Sequence, residues 1–256
     1  MTRRICSGVD DCVQAVREQI RRGAAVIKVC VSGGVMSDAD VEEQQFSDNE
    51  LRAIVDEAKR ARRAVAAHAH GLSGIRAAVK AGVTTIEHGS RLTEEIASLM
   101  AKRGTILVPT RSILEAAAQR SVLSQEAREK AVGLADSNAE SLRIAVAHGV
   151  LIASGSDLGV SGSTGSHSYT RATYEIGSLV RAGVDPLNAL AAATYVGPLT
   201  LGPLAPRSGL IEVGYVGDVI SLDFHPLDDP DGWSRPNRVT EVWKAGVAQT
   251  PNVAKG

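Results

Sequence analysis

The chain has 256 residues, with 28 Lys and Arg against 29 Asp and Glu, 44% hydrophobic residues and 3% aromatic ones. That length suits one large domain or two modest ones, and a net charge of −1 excludes a nucleic-acid partner that relies on basic excess. Charged residues at 22% exclude a disordered chain. No apolar run approaches the roughly 18 residues of a membrane span, and the opening MTRRICSGVDD lacks the apolar stretch of a secretory signal. Cys6, Cys12 and Cys30 form neither an even framework nor a CxxC. Free thiols in a reducing, cytoplasmic setting are expected.

The dominant rhythm is a short apolar run followed by a helical stretch. Val9 to Arg22 reads as a helix, with Val13, Val16 and Ile20 three and four apart and Gly23 as the stop. AAVIKVCV (24–31) is a buried strand, which SGGV then breaks. Ser47 with Glu50 three residues on forms a capping box that opens a helix to about Arg63. AVAAH (64–68) is the second strand, followed by a short helix through Ile75, Ala78 and Val79 to Gly82. VTTIEH (83–88) is the third strand, and the helix after it, capped at Thr93, ends before Gly104. TILVPT (105–110) is the fourth strand, 125–147 a longer helical region, and VLIASG (150–155) a fifth strand. Two further helices fit 169–182 and 186–194. From about Gly197 the texture changes to Gly and Pro punctuation with strand-like IEVG, DVISLDF and RVTEVWKAGV. We divide the chain into 1–196 and a β-appendage, 197–256.

Strands alternating with helices predict parallel βαβ units of an α/β protein, and strands apolar throughout predict a sheet covered on both faces. Polar residues recur where these strands end: Lys28 lies in the first, His68 and His88 end the second and third, and Asp157 follows the fifth. In a parallel barrel that rim assembles the active site, because each strand end aims a side chain at a common centre. Imidazoles with a carboxylate suit a divalent ion such as zinc. A single strand-end His is ordinarily just a hydrogen-bonded core residue. A Lys in an apolar strand is harder to dismiss, since an unpaired buried ammonium is costly; it must be exposed at an end, paired or chemically altered. SGGV lacks a phosphate-loop pattern and reads as a turn. SGSDLGVSGSTGS (154–166) reads as a lid, and Arg111 as a solvated surface residue.

The segments around these residues are more specific than their spacing. IKVCVSGGV, VAAHAHG followed by GIRAAVKAGVTTIEHGS, and ASGSD resemble the amidohydrolase superfamily, in its imidazolonepropionase-like and Xaa-Pro dipeptidase-like branch. EIGSLVRAGVDPLNALAAAT and SGLIEVGYVGDVISLDFHPLDD resemble its closing helices and C-terminal β-segment, so the likeness covers nearly the whole chain. The resemblance implies a zinc-type metal centre in a barrel. Lys28 matches the strand-four lysine that is carboxylated and bridges two ions, His68 and His88 the ligands of strands five and six, and Asp157 the strand-eight ligand. His70 is the alternative ligand in AHAH, but two positions further along it is expected outward on the loop, so it is read as a substrate contact, as is His167 in STGSHS. The implied reaction is hydrolysis of an amide or peptide C–N bond in a small substrate such as a dipeptide or cyclic amide. Metal lowers the pKa of bound water from about 16 toward about 7, the hydroxide attacks a carbonyl polarised by metal or by His70, and Asp157 relays the proton to the leaving nitrogen.

Family members begin upstream of this pattern, and their first strand ends in an HxH pair that completes the second metal site. The only HxH here is His68-Ala69-His70, already placed in strand five. The expectation is therefore a partial TIM (β/α)8 barrel, about strands 4–8, with a small C-terminal β-segment and one of two metal sites incomplete. A sheet cut at strand four exposes an edge, which invites pairing with a second copy or a partner half-chain. We expect the C-terminal portion of a larger hydrolase. The alternative is a non-catalytic remnant or interaction module that retains a partial metal site. A third reading, a lyase with Lys28 as Schiff-base nucleophile, is opposed by the paired histidines.

Overall fold

The computed structural model describes residues 4–118, 124–158 and 171–249. Helix α1 (Val9–Arg21) leads into strand β1 (Val26–Cys30), and the pattern continues with α2 (Asp48–Arg60), β2 (Ala64–Ala69), α3 (Leu72–Ala81), β3 (Thr85–His88), α4 (Glu94–Arg103) and β4 (Ile106–Val108). The four strands form one parallel sheet in the order β1-β2-β3-β4. The capping box at Ser47 forms: its hydroxyl accepts from the Glu50 amide, and the Glu50 carboxylate accepts from the Ser47 amide. A cap of this kind contributes about 1 kcal/mol. Thr93 occupies the N-cap of α4 without a capping hydrogen bond, so the shape of the turn starts that helix, not its side chain.

The two faces of the sheet differ. Ile27 and Val29 of β1, Val65, Ala67 and Ala69 of β2, Ile86 of β3 and Leu107 of β4 are buried in one large core with Leu51, Ile54, Ile75, Ile96 and Met100 from the covering helices. Each such aliphatic side chain contributes about 1.5–3 kcal/mol by leaving water. Alternation turns Lys28, Cys30, Ala66, His68, Thr85 and Glu87 to the other face, where Lys28 and Cys30 are exposed and His68 and Glu87 half-buried. On that face only Ile106 and Val108 of β4 join a small cluster with Ala153 and Val196.

Beyond β4 the structure departs from the sequence reading. Arg111–Ala118 is a helix, α5, that the apolar spacing did not single out, and it packs beside the long α6 (Gln125–Ala147). VLIASG does not form a full strand. It joins the sheet through a single bridge, Leu107↔Ile152, with the Leu107 amide donating to the Leu151 carbonyl and Ala153 donating back to Leu107. Helix α7 covers Tyr174–Arg181 and α8 Pro186–Ala193, against the 169–182 and 186–194 expected; residues 169–170 lie outside the described ones. The short α9 (Val196–Leu199) follows. IEVG is a turn, while β5 (Val219–Leu222), β6 (Val239–Lys244) and β7 (Val247–Gln249) make a three-stranded antiparallel sheet. Trp233 folds back into the main core, with Phe224 edge-on to its ring at 5.2 Å. Among the described residues no helix is long and apolar enough to cross a membrane.

Candidate metal centre

Three histidines meet where β2 and β3 end. One ring nitrogen from each of His68, His70 and His88 lies within 4.8 Å of the others. The His70 and His88 rings stack at 4.5 Å, and His68 stands edge-on to both, at 5.0 and 4.5 Å. His70 follows His68 by two residues and lies just past the end of β2, as expected, yet it is buried at 2% exposure. His88 arrives differently. Strict alternation would put it on the helix-covered face with Ile86, in register with Ala69. Its backbone takes a left-handed φ of 72°, a conformation costing an L-residue about 1–2 kcal/mol, and this turn carries the ring into contact with His68.

Each imidazole is braced by a neighbouring strand's loop. His70 Nδ1 is 2.8 Å from the Ser90 hydroxyl past β3, and His88 Nδ1 is 2.6 Å from the Thr110 hydroxyl past β4. The Gly33 backbone past β1 faces the His68 ring and favours its charged form. Gly34 lies so close that a Cβ there would sit 3.1 Å from His68 Cε1. The SGGV loop is thus a turn, as read from sequence, and it also walls the His68 ring. Gly71, directly after His70, passes so near the loop at Val41 that a Cβ would meet the Val41 carbonyl oxygen at 2.2 Å.

Burial sets the electrostatics. It pulls His68 down to about 4, helped by the Lys28 charge, while the Gly33 backbone opposes the shift. His70 falls to about 3, first through burial and then through the charges of His68 and Arg91. His88 lies well below its ordinary value because of burial, with His70, His68 and Lys28 adding to it. All three are therefore neutral at pH 7, so each keeps one lone pair and one N–H, and neutral imidazole is the form that can ligate a divalent ion. The cluster fits such an ion in donor type and protonation.

Lys28 is not buried. Its side chain is about half exposed on the open face, and its Nζ is 4.0 Å from the Glu87 carboxylate. Asp157 follows the Ile152 bridge with a left-handed φ of 49°. His167 and most of the expected lid fall outside the described residues. Arg111 is the clear correction: it is buried, not solvated, because its guanidinium donates to the Ala135 carbonyl, to Asn138 and to Glu115. Sequence reasoning also passed over Ser90, Thr110, Asn138 and Glu175. Asn138 left a signal, being polar, like Ser141, on a face of α6 that also buries Ala131, Leu134, Leu142 and Ala145.

Comparison with known proteins identifies the family. The model of the amidohydrolase family matches residues 1–248. Ochratoxinase of Aspergillus niger is 44% identical over 246 residues, which is 94% of this chain and 50% of that protein. Its crystal structure superposes with a TM-score of 0.85, covering 95% of this chain and 55% of that one. A Xaa-Pro dipeptidase with methionine bound in its active site gives a TM-score of 0.84 at 33% identity, covering 95% and 59%. A prolidase complexed with N-methylphosphonate-L-proline gives 0.85 at 33%, covering 96% and 60%. The chain spans about half the length of the curated relatives it matches. With strand-end histidines on a parallel sheet, and a family match over nearly every residue, this chain belongs to the amidohydrolase family and its sheet is part of that family's (β/α)8 barrel.

Proposed function

We propose that this chain forms the metal-holding, catalytic part of a hydrolase that cleaves an amide or peptide C–N bond in a small substrate such as a dipeptide or cyclic amide. The observation that carries the reading is the set of three neutral imidazoles whose ring nitrogens lie within 4.8 Å of one another. Lys28, His68, His88 and Asp157 are the proposed ligands, and His70 and His167 the substrate contacts. Those ligands would hold a divalent ion, zinc by the character of the donors, which would supply a lowered pKa for water and polarisation of a carbonyl. An ammonium beside this cluster opposes a dication; Lys28, once its amine has lost a proton to solvent, adds through nitrogen to carbon dioxide and releases a second proton to solvent, and the resulting anionic carbamate removes that conflict. With the Ser90 hydroxyl donating to His70 Nδ1, the opposite ring N–H is free to donate to a substrate carbonyl oxygen. Asp157 accepts a proton from the attacking water and returns it to the leaving nitrogen.

The test is metal content and turnover of the 256-residue chain and its His68→Ala variant, using Xaa-Pro dipeptides and cyclic amides. The reading requires metal in the wild type, its loss in the variant, and hydrolysis by the wild type alone. Equal metal in both proteins refutes it. The second reading, a module that holds metal but turns nothing over alone, is favoured by the half-length match to its relatives and by the edge position of β1. Metal uptake without turnover supports that reading instead.

A further inference from the structure

We propose that Asn138, on α6, is a positioning residue that holds the His88 ring in the cluster; the inference rests on the metal-centre reading above. The geometry begins with the two strand ends. His88 and Thr110 both have left-handed backbones, φ 72° and 50°, and both bear side chains larger than such a conformation favours. Strain of this kind persists only where the surroundings over-determine it. Here a single amide does so. Asn138 Nδ2 donates to the His88 carbonyl at 2.7 Å and to the Pro109 carbonyl at 3.0 Å, tying the end of β3 to the end of β4. The Asn138 side chain is completely buried.

The amide is itself held. Arg111 Nη1 donates to Asn138 Oδ1 at 3.2 Å, which fixes which end of the amide faces the carbonyls. The first turn of α5, carrying Arg111, is anchored from α7: the Glu175 carboxylate accepts from the Arg111 and Ser112 amides at 2.8 and 2.7 Å. One turn on from Asn138, the Ser141 hydroxyl accepts from the Leu92 amide at 2.8 Å and holds the far end of the loop that follows His88. Thr110, placed by the same tie, hydrogen-bonds His88 Nδ1 at 2.6 Å and so holds the ring's orientation. The hydrogen bonds of Asn138 go to backbone carbonyls and to Arg111. Asn138 acts through the backbone, on where the imidazole points.

The experiment compares wild type, Asn138→Leu, Asn138→Asp and a remote core variant, Leu51→Ala, as the 256-residue chain. Asp keeps the shape and the contact to Arg111 but cannot donate, so it also answers if Leu fails to fold. Cobalt(II) affinity by calorimetry and the His88 ring nitrogen resonances of the metal-free protein are read for each. Expected are a 10- to 100-fold weaker affinity in both Asn138 variants, with a fixed His88 tautomer in the wild type and an averaged one in the variants. Leu51→Ala should lower the melting temperature and keep wild-type affinity and tautomer. Unchanged affinity and tautomer in the Asn138 variants, or equal losses in Leu51→Ala, overturn the proposal. A wild type that binds no cobalt refutes the metal-centre reading, and the tautomer comparison then still decides the role of Asn138.

Discussion

Glu175 offers a test of the scaffold behind the site. It is fully buried, and desolvation raises its carboxyl to about 7 from 4.5, although the amides of Arg111 and Ser112 favour the charged form. The folded protein therefore binds more protons than the unfolded chain between those two values, so stability falls as pH rises through the window. At ~1.4 kcal/mol per pKa unit, keeping the charge inside the fold costs ~3 kcal/mol once the pH exceeds 7. Glu175→Gln cannot ionise. It keeps one carbonyl oxygen for one of the two amides and turns an NH2 toward the other, a pH-independent loss of about 1–3 kcal/mol. Urea unfolding of both proteins from pH 5 to pH 8 gives the difference curve, in which other titrating groups cancel. The variant should be the less stable protein at pH 5 and gain most of that ~3 kcal/mol on the wild type by pH 8. A flat difference, or one that runs against the variant as pH rises, refutes the argument.

Three further outcomes are expected. Gly71→Ala drives a Cβ against the backbone oxygen of Val41 at 2.2 Å and Glu42 Cα at 2.8 Å; neither can step aside, and a drop of about 1–3 kcal/mol should appear in the urea midpoint. Gly34→Ala instead presses on the far side of the His68 ring at 3.1–3.2 Å, so metal affinity by calorimetry should weaken about tenfold while the melting temperature barely moves. His68 and His70 are depressed to about 4 and 3, so the fold binds fewer protons than the unfolded chain below the ordinary 6.5. Their stabilisation is present above that value and is lost as pH falls toward 3. Acid unfolding of the metal-free chain should show this loss, and a shallower slope in His70→Asn.

What was legible in the sequence is what local chemistry decides. Ser47 and Glu50 are three residues apart, and the capping box follows from that alone. Ala64 to Ala67 is small and apolar, so β2 could be read, and with it His68 at the end of that run. Two kinds of feature were not legible. His88 reaches the cluster through a left-handed backbone, and no periodicity encodes that exception. Arg111 resembles any charged residue at a helix start until Asn138, Ala135 and Glu115 surround it, from as far as 27 residues away. The segment 150–155 has the composition of a strand but only one bridge, because pairing is decided by the neighbour it meets as well as by β-propensity.

The bracing of each histidine by another strand's loop limits how this site can be altered piecemeal. Ser90 serves the histidine that ends β2, Thr110 the one that ends β3, and the Gly33 turn reaches across from β1. No loop is self-sufficient. A loop exchanged for one of different length should disturb the ring next door before its own, and exchanges should keep the cluster intact only when adjacent loops travel as a pair.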